Sequence, residues 1–267
     1  MSFLRSLSRE TPRAAFPADR VGYAIGDIHG RLDLLVELLT VLESRAASEV
    51  RFAGPPILVF VGDYVDRGPN SAGVIDLLLQ GAPIGYERRF LKGNHEESML
   101  GFLAAPLENR AWVLQGGAET LRSYGVTPPP PIGASDEDWV RVSLELRAKA
   151  PPAHIDFLNG LERYIVLGDY VFVHAGVDPS RSLEQQTDVD LYWSRQRFLA
   201  SKKRFSHLVV HGHTPAERPY IDSRRIGIDT GAYASGMLSA ARFEGTEVTF
   251  LSAMDRVGQR WNAQAVS

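Results

Sequence analysis

Residues 21–42 read VGYAIGDIHGRLDLLVELLTVL, and the change of period inside them decides the fold class. Residues 21–26 form a short apolar run that suits a buried strand. From Leu32 onward, Leu34, Leu35, Leu38, Leu39 and Leu42 recur at helical spacing, and Asp33 suits the positive end of that helix. Gly26-Asp27-Ile28-His29-Gly30 sits between the two. The same grammar repeats downstream. Gly54-Pro55-Pro56 breaks the chain, residues 57–61 (ILVFV) make a second strand, and GDYVDRG follows at 62–68. A second helix over 71–80 stops at Gly81. A third strand over 89–92 runs into Gly93-Asn94-His95-Glu96. This order implies parallel pairing with right-handed crossovers. In open sheets of that kind, ligands sit beyond the carboxyl ends of the strands. All three strands end there in polar residues able to bind metal.

The middle of the chain, residues 96–161, is read as helical and loop-rich, with an extended proline loop over 128–131. Ser135 with Asp138 marks a helix start. The alternation of Val140, Val142, Leu144 and Leu146 suits a strand, but the flanking start and the stop at 149–152 favour a helix. The last third is strand-rich. Residues 165–167 and 170–173 flank Gly168-Asp169, a two-residue hairpin turn. Further strands are expected at 207–210, 225–228, 238–243 and 248–251. The expected fold is α/β (α+β): a mixed sheet or two stacked sheets with helices outside. One domain over 21–267 is expected, with a flexible lead-in over 1–20 and the insertion at 96–161.

The bulk composition narrows the function. A chain of 267 residues with 44% hydrophobic content fits one large α/β domain with a sizeable core. A formal net charge of -3 argues against a non-specific nucleic-acid binder. There are no cysteines, so any metal is held by nitrogen and oxygen. No apolar run reaches the roughly 18 residues of a membrane span, and the first twenty residues lack the apolar stretch of a secretory signal. A cytoplasmic location is the expectation.

Five segments carry the chemistry: GDIHG at 26–30, GDYVDRG at 62–68, GNHE at 93–96, HAG at 174–176 and GHT at 212–214. Four of the seven histidines (His29, His95, His174 and His213) lie in them. A lone histidine is an ordinary core or surface residue, and a lone Gly-Asp is an ordinary turn. Five such segments in one chain suit a pair of divalent cations that clamp a phosphate and activate water. Nitrogen and oxygen donors point to manganese, iron or zinc.

The order GDxHG, GDxVDRG, GNHE and two later histidine segments resembles the phosphoprotein phosphatase (PPP) family of the calcineurin-like metallophosphoesterases. The likeness is to its short bacterial and phage lambda phosphatase-like branch, over about residues 21–250. It implies a mixed β-sandwich flanked by helices, with the metal site at the strand C-terminal ends. It also implies a serine/threonine protein phosphatase that acts by direct attack of a metal-bridging hydroxide. By the same likeness, Asp27 and His29 bind one metal, Asp63 bridges both, and Asn94, His174 and His213 complete the second. Arg67 and Arg195 grip phosphate oxygens, with Asn94 beside them. His95 is the general acid, oriented by Asp66. The implied substrate is a phosphorylated protein, peptide or small phosphoester.

The chain departs from the larger eukaryotic members: IDTGAY at 228–233 replaces a SAPNY-type loop. Pro215 follows Gly212-His213-Thr214, so the second histidine of the GHxH pattern of nucleases and phosphodiesterases is absent. Three alternatives stay open: a dinucleoside (diadenosine) tetraphosphate hydrolase, a phosphodiesterase or nuclease, and a catalytically dead binding module. His211 is read as a non-ligand. Trp112 and Trp139 are read as packing, and Arg197, Lys202, Lys203 and Arg204 as a solvated face.

Overall fold

A computed structural model of the protein describes residues 14–46 and 52–255. Strands β1 (Gly22–Ile25), β2 (Ile57–Phe60) and β3 (Glu87–Phe90) pair in parallel. Helices α1 (Leu32–Ala46) and α2 (Ser71–Leu79) make the crossovers. The third strand starts and ends two residues before the expected 89–92, because Leu91 instead bridges Glu162. A second sheet holds β4 (Ile165–Leu167), β5 (Tyr170–Phe172), β6 (Leu208–His211), β7 (Tyr220–Ile221) and β8 (Arg225–Gly227). The hairpin β9 (Met237–Glu244) and β10 (Glu247–Met254) returns to the first sheet, where β9 lies antiparallel to β1. The sheet orders are β10-β9-β1-β2-β3 and β4-β5-β6-β8-β7.

The period of two divides each strand between two cores. Ala24, Ile57, Val59, Val61 and Phe243 face Tyr170, Phe172, Val210 and Ile226 between the sheets. The alternate residues Tyr23, Ile25, Leu58 and Phe60 meet the leucine stripe of α1 on the outer face. Beyond the second sheet, Val171, Val173 and Val209 meet Leu191, Tyr192 and Phe198 from two short helices, α7 (Asp188–Trp193) and α8 (Gln196–Leu199). The expected sandwich flanked by helices is therefore the fold. Strands buried on both faces read as unbroken apolar runs, which explains ILVFV.

Between β3 and β4 the chain forms α3 (Asn94–Ala104), α4 (Ala118–Ser123), α5 (Asp136–Lys149) and α6 (Pro152–Asn159). The helical reading of 136–149 holds. Ser135 and Asp138 cap each other reciprocally, and Trp139, Val142 and Leu146 are buried at helical spacing while Val140 and Leu144 face solvent. Of the expected lead-in, residues 1–13 lie outside the described residues. Residues 14–17 differ from a free lead-in, because they pack against the domain, while Ala18 and Asp19 are exposed. Phe16 is buried between Tyr170 and Phe243, and its N–H donates to Gly245 O at 2.8 Å. Residues 256–267 also lie outside the described residues. Among those described, no helix is long and apolar enough to cross a membrane.

Candidate active site

The loops after β1, β2, β3, β5 and β6 converge at the C-terminal edges of both sheets, and backbone hydrogen bonds lace them together. The N–H groups of Ile28 and His29 both donate to Asp63 O, at 3.1 and 2.8 Å, and Gly212 N–H donates to His174 O at 2.8 Å. Five non-glycine residues have positive φ among those described: His29, Asp63, Asp66, Arg67 and His213. Each is one of the expected site residues. Backbone of this kind costs roughly 1–3 kcal/mol per residue and persists only where its surroundings hold it. Much of that hold comes from Glu96. Its fully buried carboxylate accepts the N–H groups of Asp63 and Gly93 on one oxygen and those of Tyr64 and Val65 on the other.

The donor atoms form two sets that share Asp63. One is His29, Asp63 and His95; the other is Asp63, His174 and His213. Within each set the ligating atoms lie within 4.8 Å of one another. Asp63 Oδ2 is 3.4 Å from His29 Nε2, and its Oδ1 is 3.4 Å from His174 Nε2. His174 Nε2 is also 3.0 Å from Asn94 Oδ1 and 3.2 Å from His213 Nδ1. The other ring nitrogens of His29 and His174 are tied to backbone carbonyls, Nδ1 to Val65 O and Val61 O, each at 2.9 Å. Each Nδ1 is the donor, so each Nε2 keeps its lone pair for the cluster.

The electrostatics call for cations. Asp27 is 2% exposed; its Oδ2 accepts His213 N–H at 2.9 Å and its Oδ1 has no partner. Burial, then the charges of Asp229 and Asp63, push its carboxyl well above the usual range. Burial also holds His29 down to about 3 and His213 down to about 2, so both are neutral and able to ligate. For Asp63 burial is the largest influence and opposes ionisation. The neighbouring imidazoles, His174 first, still hold its pKa well below the usual value. An orphaned buried carboxylate beside neutral imidazoles fits bound divalent metal. A β-carbon on Gly212 would lie 2.0 Å from Asp27 Oδ1, and one on Gly93 would lie 2.1 Å from Asp63 Oδ1, so only glycine leaves these carboxylates room.

Beside the donors, His95 Nδ1 lies 2.6 Å from Asp66 Oδ2. Burial opposes charge on His95, but Asp63 and Asp66 outweigh it and its pKa is raised. Arg67 reaches His29 Nε2 at 2.8 Å and packs over the Tyr233 ring, 4.9 Å from its centroid. Arg195 Nε donates to His213 Nε2 at 3.0 Å. All the expected site residues therefore meet in one place.

His211 is apart from this set. Its Nε2 faces Tyr220 and its Nδ1 faces Gly212 O, and burial lowers it to about 4. The structure adds residues the sequence reading did not assign. Glu96 is the clamp described above. Thr120, and Trp112, which the sequence reading gave to packing alone, both donate hydrogen bonds to Asp66. Tyr233 stands edge-on to His29 with ring centroids 5.3 Å apart. The glutamate of GNHE was visible in the sequence, but its four backbone partners were not.

The sequence pattern of the calcineurin-like phosphoesterases matches residues 23–244. The chain is 28% identical over 265 residues to a bis(5'-nucleosyl)-tetraphosphatase PrpE (asymmetrical) of Geobacillus thermodenitrificans (strain NG80-2), covering 89% of this chain and 96% of that protein. It is 29% identical over 232 residues to serine/threonine-protein phosphatase 1 of Salmonella typhimurium (strain LT2), covering 83% and 91%. Among solved structures, a putative diadenosine tetraphosphatase shares the fold with TM-score 0.56 and 21% identity, over 88% of this chain and 94% of that one. A serine/threonine phosphatase from Saccharomyces cerevisiae shares it with TM-score 0.53 and 15% identity, over 89% and 81%. The match over most of the chain settles its membership: it is a calcineurin-like phosphoesterase.

Proposed function

We propose that the protein hydrolyses phosphomonoesters with two divalent cations, as a phosphatase of the serine/threonine protein type. The observation that carries this reading is the division of one carboxylate, Asp63, between the His29 and His174 nitrogens at 3.4 Å each. Asp27 and His29 would hold one ion and Asn94, His174 and His213 the other, with Asp63 shared. His95 lies as close to His29 and Asp63 as a ligand would. We assign it elsewhere because Asp66 already engages it, whereas the partnerless Asp27 oxygen needs a cation. The donor set favours manganese, with iron or zinc also suited.

When bound, the cations neutralise charge on the phosphate oxygens and acidify water at neutral pH. The remaining work belongs to the chain. Arg67 and Arg195 present planar guanidinium groups that match phosphate oxygens two at a time. With Nδ1–H directed to Asp66, His95 has Nε2–H free to give its proton to the departing oxygen. That proton matters most when the leaving group is a serine or threonine alkoxide, and such catalysis supplies about 10²–10⁴-fold.

A second reading, hydrolysis of dinucleoside tetraphosphates, draws support from the PrpE relatives. There the leaving group is a nucleotide phosphate, which departs without a proton. A panel of phosphoserine and phosphothreonine peptides, p-nitrophenyl phosphate and diadenosine tetraphosphate, each with added manganese, nickel, zinc or magnesium, separates the two. Faster turnover of the phosphopeptides supports the first reading. Faster turnover of the tetraphosphate, with negligible peptide dephosphorylation, refutes it.

A further inference from the structure

The dyad of His95 and Asp66 is completed from a part of the chain with no metal-binding residue in it. Asp66 Oδ2 accepts two donors: His95 Nδ1 at 2.6 Å and the indole Nε1–H of Trp112 at 2.8 Å. Asp66 Oδ1 accepts the Thr120 hydroxyl at 2.6 Å. The same Thr120 oxygen accepts the Asp66 backbone N–H at 2.9 Å, and Ser71 Oγ accepts it at 3.0 Å. Trp112 and Thr120 flank the wide turn Val113–Gly117, which donates nothing to the metal cluster. That turn does hold Arg67, whose N–H donates to Gly116 O at 3.0 Å. All three partners are deeply buried: Trp112 is 2% exposed, and Thr120 and Asp66 are 0% exposed.

These contacts leave the carboxylate no freedom. An indole N–H can only donate, so Asp66 Oδ2 must accept it and stays pinned in the plane that also receives His95. Asp66 sits at φ 76, a conformation its own backbone does not favour. Without outside donors nothing local would keep its side chain aimed at His95. From this geometry we infer that Trp112 and Thr120 are positioning residues for the proton donor, acting through Asp66 rather than on the substrate. The segment between β3 and β4 thereby takes part in catalysis as well as packing. The inference rests on the reading of His95 as the general acid.

Leaving-group dependence tests it, because misaligning the acid slows only reactions that need its proton. In the full-length metal-loaded protein, Trp112→Phe keeps an aromatic ring, though a smaller one, against Phe102 and removes the N–H. Thr120→Val removes the hydroxyl at nearly constant volume. Each should lower kcat on phosphoserine or phosphothreonine peptides about 10-fold, as loss of such outer partners does. On p-nitrophenyl phosphate each should stay within about 2-fold, since that leaving group needs no proton. Thr120→Ser, which keeps the hydroxyl, should recover most of the peptide rate. Equal losses on both substrates, or no loss on either, would overturn the inference. If Trp112→Phe fails to fold, the Thr120 pair decides alone. His95→Asn, measured in parallel, keeps the two ideas apart. A selective loss there with unselective Trp112 and Thr120 variants sinks the positioning inference only. An unselective His95→Asn sinks the general-acid reading and the inference with it.

Discussion

At the scale of single residues, the site is assembled from side chains whose backbone would rather be elsewhere. His29, Asp63, Asp66, Arg67 and His213 all hold positive φ, and each faces the same small volume. The residue types were readable from the sequence, because aspartate, histidine and asparagine beside glycine after strands have few other uses in such number. The strain was not readable, since φ is set by what surrounds a loop. If Asp63 is the shared carboxylate, Asp63→Asn should lower bound metal in elemental analysis; unchanged stoichiometry would refute the sharing. Gly116 offers a second test. At φ 120, with a β-carbon there 2.7 Å from Arg67 Cγ, Gly116→Ala should cost about 1–3 kcal/mol in urea unfolding. It should also raise KM for phosphomonoesters by displacing Arg67. An unaltered unfolding midpoint would show that the turn tolerates the methyl group.

At the scale of elements, the first turn of α3 does two jobs. Asn94 and His95 project into the site, while Glu96 reaches back to the β2 loop and satisfies four N–H groups. Burial raises Glu96 to about 7. Its replacement Glu96→Gln keeps the size but offers one oxygen where two are used, and turns an amide NH₂ toward backbone donors. The loss should be about 2–4 kcal/mol, since each unsatisfied buried donor costs roughly 1–3 kcal/mol. Chemical denaturation measures it, and a change under 0.5 kcal/mol, about the spread of neutral surface substitutions, would discount the clamp. By contrast, Ser135→Ala removes only the cap of α5 and should cost about 1 kcal/mol without altering kcat. The two helices were legible to different depths. Both capping signals of α5 lie within four residues, so local sequence revealed that helix. Three of the four partners of Glu96 lie 31 to 33 residues away on another strand's loop, beyond the reach of any local pattern; only Gly93 is near it in the chain.

At the scale of the whole molecule, two sheets and two helix layers carry loops that have no stability of their own, and that dependence has a pH signature. Burial keeps His29, His211 and His213 neutral in the folded chain, down to about 3, 4 and 2. In the unfolded chain each takes up its proton near the ordinary histidine value of about 6.5. Below that pH the unfolded state binds more protons, so stability falls as pH falls. For His211 the loss is complete near its folded value of about 4. His95 and His174, whose values are raised, have the opposite sign: their contribution is fully present below about 6.5 and is lost above it. Just below 6.5 they offset part of the acid-side loss, and so do the raised carboxyls of Asp27, Glu96 and Asp229. With metal removed by chelation, the native chain should therefore lose about 1 kcal/mol relative to His211→Asn in urea unfolding between about pH 6.5 and 5.5, a comparison in which the groups common to both chains cancel. An unchanged difference between the two chains over that interval contradicts the neutral, buried state of His211.

The sequence alone determined the strand–helix order and the identity of the clustered residues, and left a mixed sheet or two stacked sheets with outer helices open; the structure has two sheets. Period and residue chemistry are local properties, and they survive in a string of letters. Folding decided the rest. The two donor sets share one carboxylate because five loops from two sheets end at the same edge. The packed part of the chain reaches back before residue 21 because the Phe16 ring fits against Tyr170 and Phe243. Trp112 and Thr120 turned out to face Asp66 because the turn between them brings them beside it. Contacts of that kind join residues dozens of positions apart, and distance along the chain carries no record of distance in space.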